Sequence, residues 1–194
     1  MKKFLSSLTV LGIMLLGIPA FGAEYTIDNS HTSLGFAVKH LMVSTVRGEF
    51  TDFQGTITYD PADLSATQIN VNIQANSIDT RNADRDKHLR GAEFFDVDKY
   101  PTVTFASNTL KKNGDGYILV GDLTIKGITK TIEIPVTIAG PVKTPFGADA
   151  IGLSGQTTIN RQDFGVSWNK QMDQGGYVVE NNVLLDINVE AHSK

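Results

Sequence analysis

The chain has 194 residues, 17 basic and 21 acidic side chains, a formal charge of −4 and no cysteine. A mildly acidic protein is a poor match for nucleic acid or an anionic membrane surface, so no nucleic-acid partner is expected. Without cysteine it can carry neither disulfides nor the lipid of a bacterial lipoprotein, so its fold must rest on an apolar core.

The first predicted element is a leader. Lys2 and Lys3 precede an uncharged apolar run, Phe4 to Ile18, which Pro19 ends; Ala20, Gly22 and Ala23 then supply small residues. This is the layout of a secretory signal peptide, and the run is short for a ~30 Å hydrocarbon core. Cleavage is expected after Gly22, making residues 1–22 the signal peptide and residues 23–194 one domain. Losing Lys2 and Lys3 takes the formal charge to −6. No later apolar run is long enough to span a bilayer.

The mature chain then alternates with period two. A short Tyr25–Ile27 segment, Leu34–Lys39 and Gln54–Tyr59 come first, the last closed by Asp60-Pro61. Ile69, Val71, Ile73 and Ala75 alternate with Asn70, Asn72 and Gln74. Val103–Lys111 and Tyr117–Ile125 flank Asn113-Gly114-Asp115-Gly116, a strong hairpin signal. Lys126-Gly127 breaks the next pair. Ile132, Ile134, Val136 and Ile138 share a face; so do Ile151, Leu153 and Ile159, and later Val183, Leu185, Ile187 and Val189. Pro141 to Gly147 reads as a loop, and the Gly165–Asn182 segment as an irregular one. About eight strands with short connections predict an antiparallel sandwich or barrel.

Two stretches depart from that period. Between Thr80 and Phe95, Asn82 can cap a helix, Asp84 and Asp86 suit its first turns, and Gly91 can end it. A second turn of helix is expected at Leu41 to Thr45. The apolar strand faces suit either a lipid-binding barrel with an inward apolar face or an outer-membrane barrel with an outward one. The strands lack aromatic girdles and the helical insert is charged, which favours the first. Gly55, Gly121 and Gly155 on apolar faces leave either space for a ligand or room for strand bending.

Residues able to do chemistry are sparse. His31 and His40 are nine apart, His88 has no second histidine three or four residues away, and His192 lies in the tail. No zinc-type spacing is present, so no metal and no cofactor are expected. No Gly-x-Ser-x-Gly elbow, dinucleotide fingerprint or phosphate loop occurs. Arg81, Arg85 and His88 share one helix face, where they could meet an anionic head group or pair with Asp84 and Asp86 in solvent. Phe50, Phe53, Phe94, Phe95, Tyr100 and Phe105 read as core aromatics.

These residues, in this order, resemble a known family. Asp28-Asn-Ser-His31, Phe36, His40, Gly48-Glu-Phe50 and Phe53-Gln-Gly55 are similar to the opening of the YceI-like polyisoprenoid-binding family. Ser77-Ile-Asp-Thr80, Arg85-Asp-Lys-His-Leu89, Phe94-Phe95, Tyr100-Pro-Thr-Val-Thr-Phe105 and Ser107 continue the resemblance. Gly121-Asp-Leu-Thr-Ile-Lys-Gly127 with Thr129-Lys130, and Arg161-Gln-Asp-Phe-Gly165, complete it over nearly the whole mature chain. Gln171–Val179 follows no motif of that family.

The resemblance implies an all-β fold: an antiparallel eight-stranded lipocalin-like barrel with a short helical insert. It implies a periplasmic binding or carrier protein that sequesters a long-chain polyisoprenoid or similar amphiphilic lipid in an apolar lumen. Phe36, Phe50, Phe105, Leu123 and Ile134 are the candidates to line that lumen. His31, Arg85 and His88 are the candidates for a polar head group. No catalytic residue carries over, and no enzyme activity is expected. The rival readings are an enzyme acting on a prenyl lipid, with His31, Asp86 and His88 as acid–base groups, and a structural, stress-related periplasmic protein without a ligand. The expected partners are the lipid and, transiently, a membrane, with the protein as monomer or homodimer.

Overall fold

Every alternating run forms a strand, because residues two apart share a face and the apolar faces can all be buried together. The computed structural model describes residues 22–173 and 175–194. The expected leader, Gly22 apart, lies outside the described residues. The strands are β1 (Ala23–Ile27), β2 (Ser33–His40), β3 (Ser44–Phe50), β4 (Phe53–Tyr59), β5 (Gln68–Gln74) and β6 (Ile78–Asp79). After the helix α1 (Ala83–Arg90) come β7 (Thr102–Asn113), β8 (Gly116–Ile125), β9 (Ile128–Lys143), β10 (Asp149–Asn160) and β11 (Val179–Ser193).

These eleven segments make eight antiparallel staves. Strands β1 and β2 both lie against β11, through Ile27↔Ala191 and Ser33↔Asn188, so they are one stave interrupted at residues 28–32. Strands β3 and β4 form a second stave, and β5 and β6 a third, since β1 pairs with β4, β2 with β3, β4 with β5 and β3 with β6. The order around the ring follows the chain, and β11 closes it. The result is the expected eight-stranded barrel. Strand β6 pairs with β3 through Glu49↔Asp79 and Phe50↔Ile78, and α1 packs beside it.

The polarity of the wall is apolar inside and polar outside. Leu119, Leu123 and Ile125 of β8 point inward and are buried, whereas Asp122 and Thr131 meet on the outer face through a 2.6 Å hydrogen bond. A barrel facing lipid has the opposite arrangement. One end is packed solid by Tyr25, Ile57, Tyr59, Leu110 and Ile151. Burial there, with a hydrogen bond to Tyr117, pushes the Tyr59 phenol up to about 12.

The other end carries the insert. Asn82 Oδ1 accepts from Arg85 N at 2.9 Å and caps α1, and Gly91 ends it, as expected. A helix of eight residues is marginal alone; here side chains pin it. The buried Asp86 accepts from the backbone N–H and the hydroxyl of Thr80. Arg90 donates to the carbonyls of Asn76 and Ile78, and Lys126 to that of Ala92.

Three expectations need correction. The irregular segment expected as Gly165–Asn182 ends before Val179, where β11 begins. Leu41 to Thr45 is no helical turn: Leu41 and Met42, at φ 51° and 61°, form the tight turn between β2 and β3, closed by Val43 N–H donating to His40 O. That is the turn whose twist matches a hairpin. The loop expected from Pro141 is shorter, because β9 runs on to Lys143. The glycines also resolve toward close approach rather than empty space. A Cβ on Gly121 would sit 2.3 Å from Phe105 Cζ and 2.7 Å from Ala106 O. One on Gly55 would meet Asn70 O at 2.6 Å, and one on Gly155 would meet Pro135 O at 2.5 Å.

Candidate functional site

Inside the barrel, between the tyrosine-packed end and the insert, lies a cavity of about 200 Å³. It exceeds the apolar cavity of about 150 Å³ that stays dry and admits benzene. Its wall is aliphatic and aromatic, with side chains from all eight staves. Phe36, Phe50, Phe105, Leu123 and Ile134, the five lumen candidates, all line it. Leu89, Phe94 and Phe95 of the insert cover its end.

Two aromatic groups build that cover. Phe50 stands between Phe36, at a ring distance of 6.1 Å, and Phe95, edge-on at 5.7 Å. Phe94 packs against Trp168 at 5.3 Å, and His88 meets both rings edge-on at 4.9 and 5.2 Å. Trp168 comes from the long segment before β11, in which period-two alternation gives no signal.

Among the described residues, Arg161 is the one charged side chain in the cavity lining. It is 5% exposed, and burial lowers its pKa. A guanidinium has five N–H donors, and all are engaged. Nε donates to Glu180 O, Nη1 to Val166 O and Trp168 O, and Nη2 to Val179 O and Asn181 Oδ1. Arg161 thus ties the turn after β10 to the segment entering β11, with no donor left over for a ligand.

The three head-group candidates do not converge. Arg85 donates to the hydroxyl and carbonyl of Thr80. His88 faces Glu93 at 2.9 Å, outside Phe94. His31 lies on the outer wall in the break between β1 and β2, with Nδ1 2.7 Å from Asp28 Oδ2. The acid–base trio is equally scattered, since Asp86 is committed to Thr80.

Ser30 and His31 hydrogen-bond Asp28 and hold its carboxyl far below the usual carboxylate range; Asp28 in turn raises His31 above its ordinary 6.5. The His31 contribution to stability is therefore full below pH 6.5 and lost as pH rises through the raised value. The Asp28 contribution is present above its ordinary 3.8 and lost as pH falls through the lowered value. A proton NMR titration of the His31 ring is expected to give a midpoint above 6.5, returning toward 6.5 in Asp28→Asn. An unmoved midpoint in that variant would remove Asp28 as the cause.

Comparison with known proteins agrees with the architecture. A family model described as the YceI-like domain matches residues 25–191. A UPF0312 protein of Pectobacterium atrosepticum is 40% identical over 169 residues, covering 86% of this chain and 88% of its own. The crystal structure of a YCEI protein from Campylobacter jejuni is 34% identical, with a TM-score of 0.70 over 80% of this chain and 90% of that one. A structure described as a polyisoprenoid binding domain from Saccharophagus degradans shares the fold at TM-score 0.63 and 14% identity, over 88% of this chain and 98% of its own.

Proposed function

The chain belongs to the YceI-like family, and from that premise we propose that it is a periplasmic carrier holding a long-chain isoprenoid or similar amphiphile inside its barrel. The observation that carries this reading is the cavity: aliphatic and aromatic on every side, with its one charged group already satisfied. Such a space selects an apolar chain and offers little to a polar substrate. The signal-peptide pattern of residues 1–22 supports the compartment, and the description of the Saccharophagus degradans domain supports the class of ligand.

Energetics define what a carrier of this kind does. Burying one CH₂ from water gains about 0.8 kcal/mol, or up to about 4 kcal/mol per five-carbon isoprene unit. A cavity of about 200 Å³ seats a short stretch of such a chain, so a longer one has to displace the cover of Leu89, Phe94 and Phe95 to enter. The lipid starts in a membrane, however, where its chain is already out of water. Transfer into the barrel is close to an exchange of one apolar surrounding for another, and release into an acceptor membrane remains affordable. Membrane contact is accordingly transient, with the insert end facing the bilayer.

The test is mass spectrometry of the organic extract from protein purified natively from the periplasm. One prenyl species at stoichiometric level is expected. Protein that is lipid-free when isolated and takes up no prenyl lipid from vesicles would sink the carrier reading. A chemically altered lipid would turn it toward an enzyme.

A further inference from the structure

Barrel closure assembles a group of side chains that no local spacing announces. Asp28 and His31 stand in the break between β1 and β2; Glu190 and His192 stand two apart on β11, on the outer face, opposite the inward Val189 and Ala191. His31 Nδ1 lies 2.7 Å from Asp28 Oδ2 and 4.0 Å from Glu190 Oε1. His192 Nε2 lies 2.9 Å from Glu190 Oε1 and 3.7 Å from Asp28 Oδ2. The ligand atoms of Asp28, His31 and Glu190 all fall within 4.8 Å of one another.

We propose that Asp28, His31, Glu190 and His192 form a divalent-metal site on the outer barrel wall, best matched to Zn²⁺. Two imidazoles and two carboxylates are a borderline donor set suited to that ion. Zinc bonds to N and O of about 2.0–2.1 Å place tetrahedral ligand atoms about 3.3–3.4 Å apart. The four separations above average 3.3 Å. Binding therefore asks each of these four to change by no more than about 0.7 Å. Asp28, His31 and Glu190 already stand within 4.8 Å of one another, and the His192 ring has to swing in to complete the set. Two carboxylates also neutralise the dication.

The ligands are held in place before any ion arrives. Asp28 Oδ1 accepts from Ser30 N and Oγ at 2.8 and 2.6 Å, which leaves Oδ2 turned toward the histidines. Asp28 N–H donates to Glu190 O at 2.9 Å. Thr32 Oγ1 donates to Glu190 O and accepts from Glu190 N–H, so the loop is pinned to the strand that bears the other two ligands. Such outer contacts fix metal ligands in orientation. The site straddles the seam where the first stave meets the last, and an ion there would staple the two ends of the chain. It stands on the far side of the wall from the cavity, so it is independent of the lipid reading.

The experiment is zinc titration of the tag-free protein by calorimetry, with metal content measured after dialysis. One Zn²⁺ per chain is expected, with a rise in Tm of about 5–10 °C at a hundredfold excess over Kd. His31→Gln and His192→Gln should each weaken binding by about 100-fold, the upper end of what losing an outer contact costs. His40→Gln, on the neighbouring strand, should leave it unchanged. Absence of saturable binding, or binding that survives the His31→Gln/His192→Gln double variant, would overturn the proposal and leave an ion-pair network. Both substitutions are on the surface, and circular dichroism of each variant shows that the barrel is intact.

Discussion

Replacing Arg161 with leucine is expected to destabilise the protein by about 3–5 kcal/mol and to lower its Tm by roughly 10 °C. The reason lies in what the guanidinium leaves behind. The carbonyls of Val166, Trp168 and Glu180 lose their donor, whereas Val179 O keeps Asn169 Nδ2 and Asn181 Oδ1 keeps Gln162 Nε2. A buried acceptor without a partner costs about 1–3 kcal/mol, and those nearer the surface recover water. Arg161→Lys is expected to rescue little, because one ammonium cannot reproduce a planar fork of five donors. Urea unfolding of the three proteins measures it. A leucine variant within about 1 kcal/mol of the parent would mean that water replaces the guanidinium, and that Arg161 is dispensable to the fold.

The second large effect concerns the cavity. Val71→Phe combined with Val183→Phe puts two rings into space that the native side chains leave unfilled. An unfilled apolar cavity costs stability in proportion to its volume, about 24 cal/mol per Å³. Filling part of it should hold or raise the Tm of the lipid-free protein, while prenyl-lipid loading falls by about tenfold or more, a loss of about 1.4 kcal/mol in binding. The two readouts moving in opposite directions separate occlusion from unfolding. Full loading in a stable double variant would place the cargo elsewhere. If overpacking lowers the Tm, Val183→Phe alone tests the same point.

What the residues disclosed in advance was whatever depends on near neighbours. Period-two runs such as Ile132–Ile138 announced strands and their inward faces, and Phe105, Leu123 and Ile134 followed from those faces onto the cavity wall. Asn82 and Gly91 bounded α1 because a cap is a local device. Ring closure is not local. Glu190 lies 158 residues from Thr32 yet shares two hydrogen bonds with it, so no spacing joins the Asp28-Asn-Ser-His31 run to Glu190 and His192. Arg161 was equally opaque: its acceptors lie 5 to 20 positions ahead, in a segment with no regular period. The tight turn at Leu41-Met42 was misread because leucine and methionine favour helices, while closing the hairpin required a left-handed pair.

The one-sided pairing of β6 bears on what a displaced insert would expose. Its second edge is shielded by α1, whose neighbours Phe94 and Phe95 also cover the cavity. Displacing the insert would withdraw Arg90 from the Ile78 carbonyl and bare the free edge of this two-residue strand, to which a second chain could pair. A form with the insert displaced would thus be the aggregation-prone one. On the carrier reading, crowded stocks stripped of lipid should be the first to self-associate.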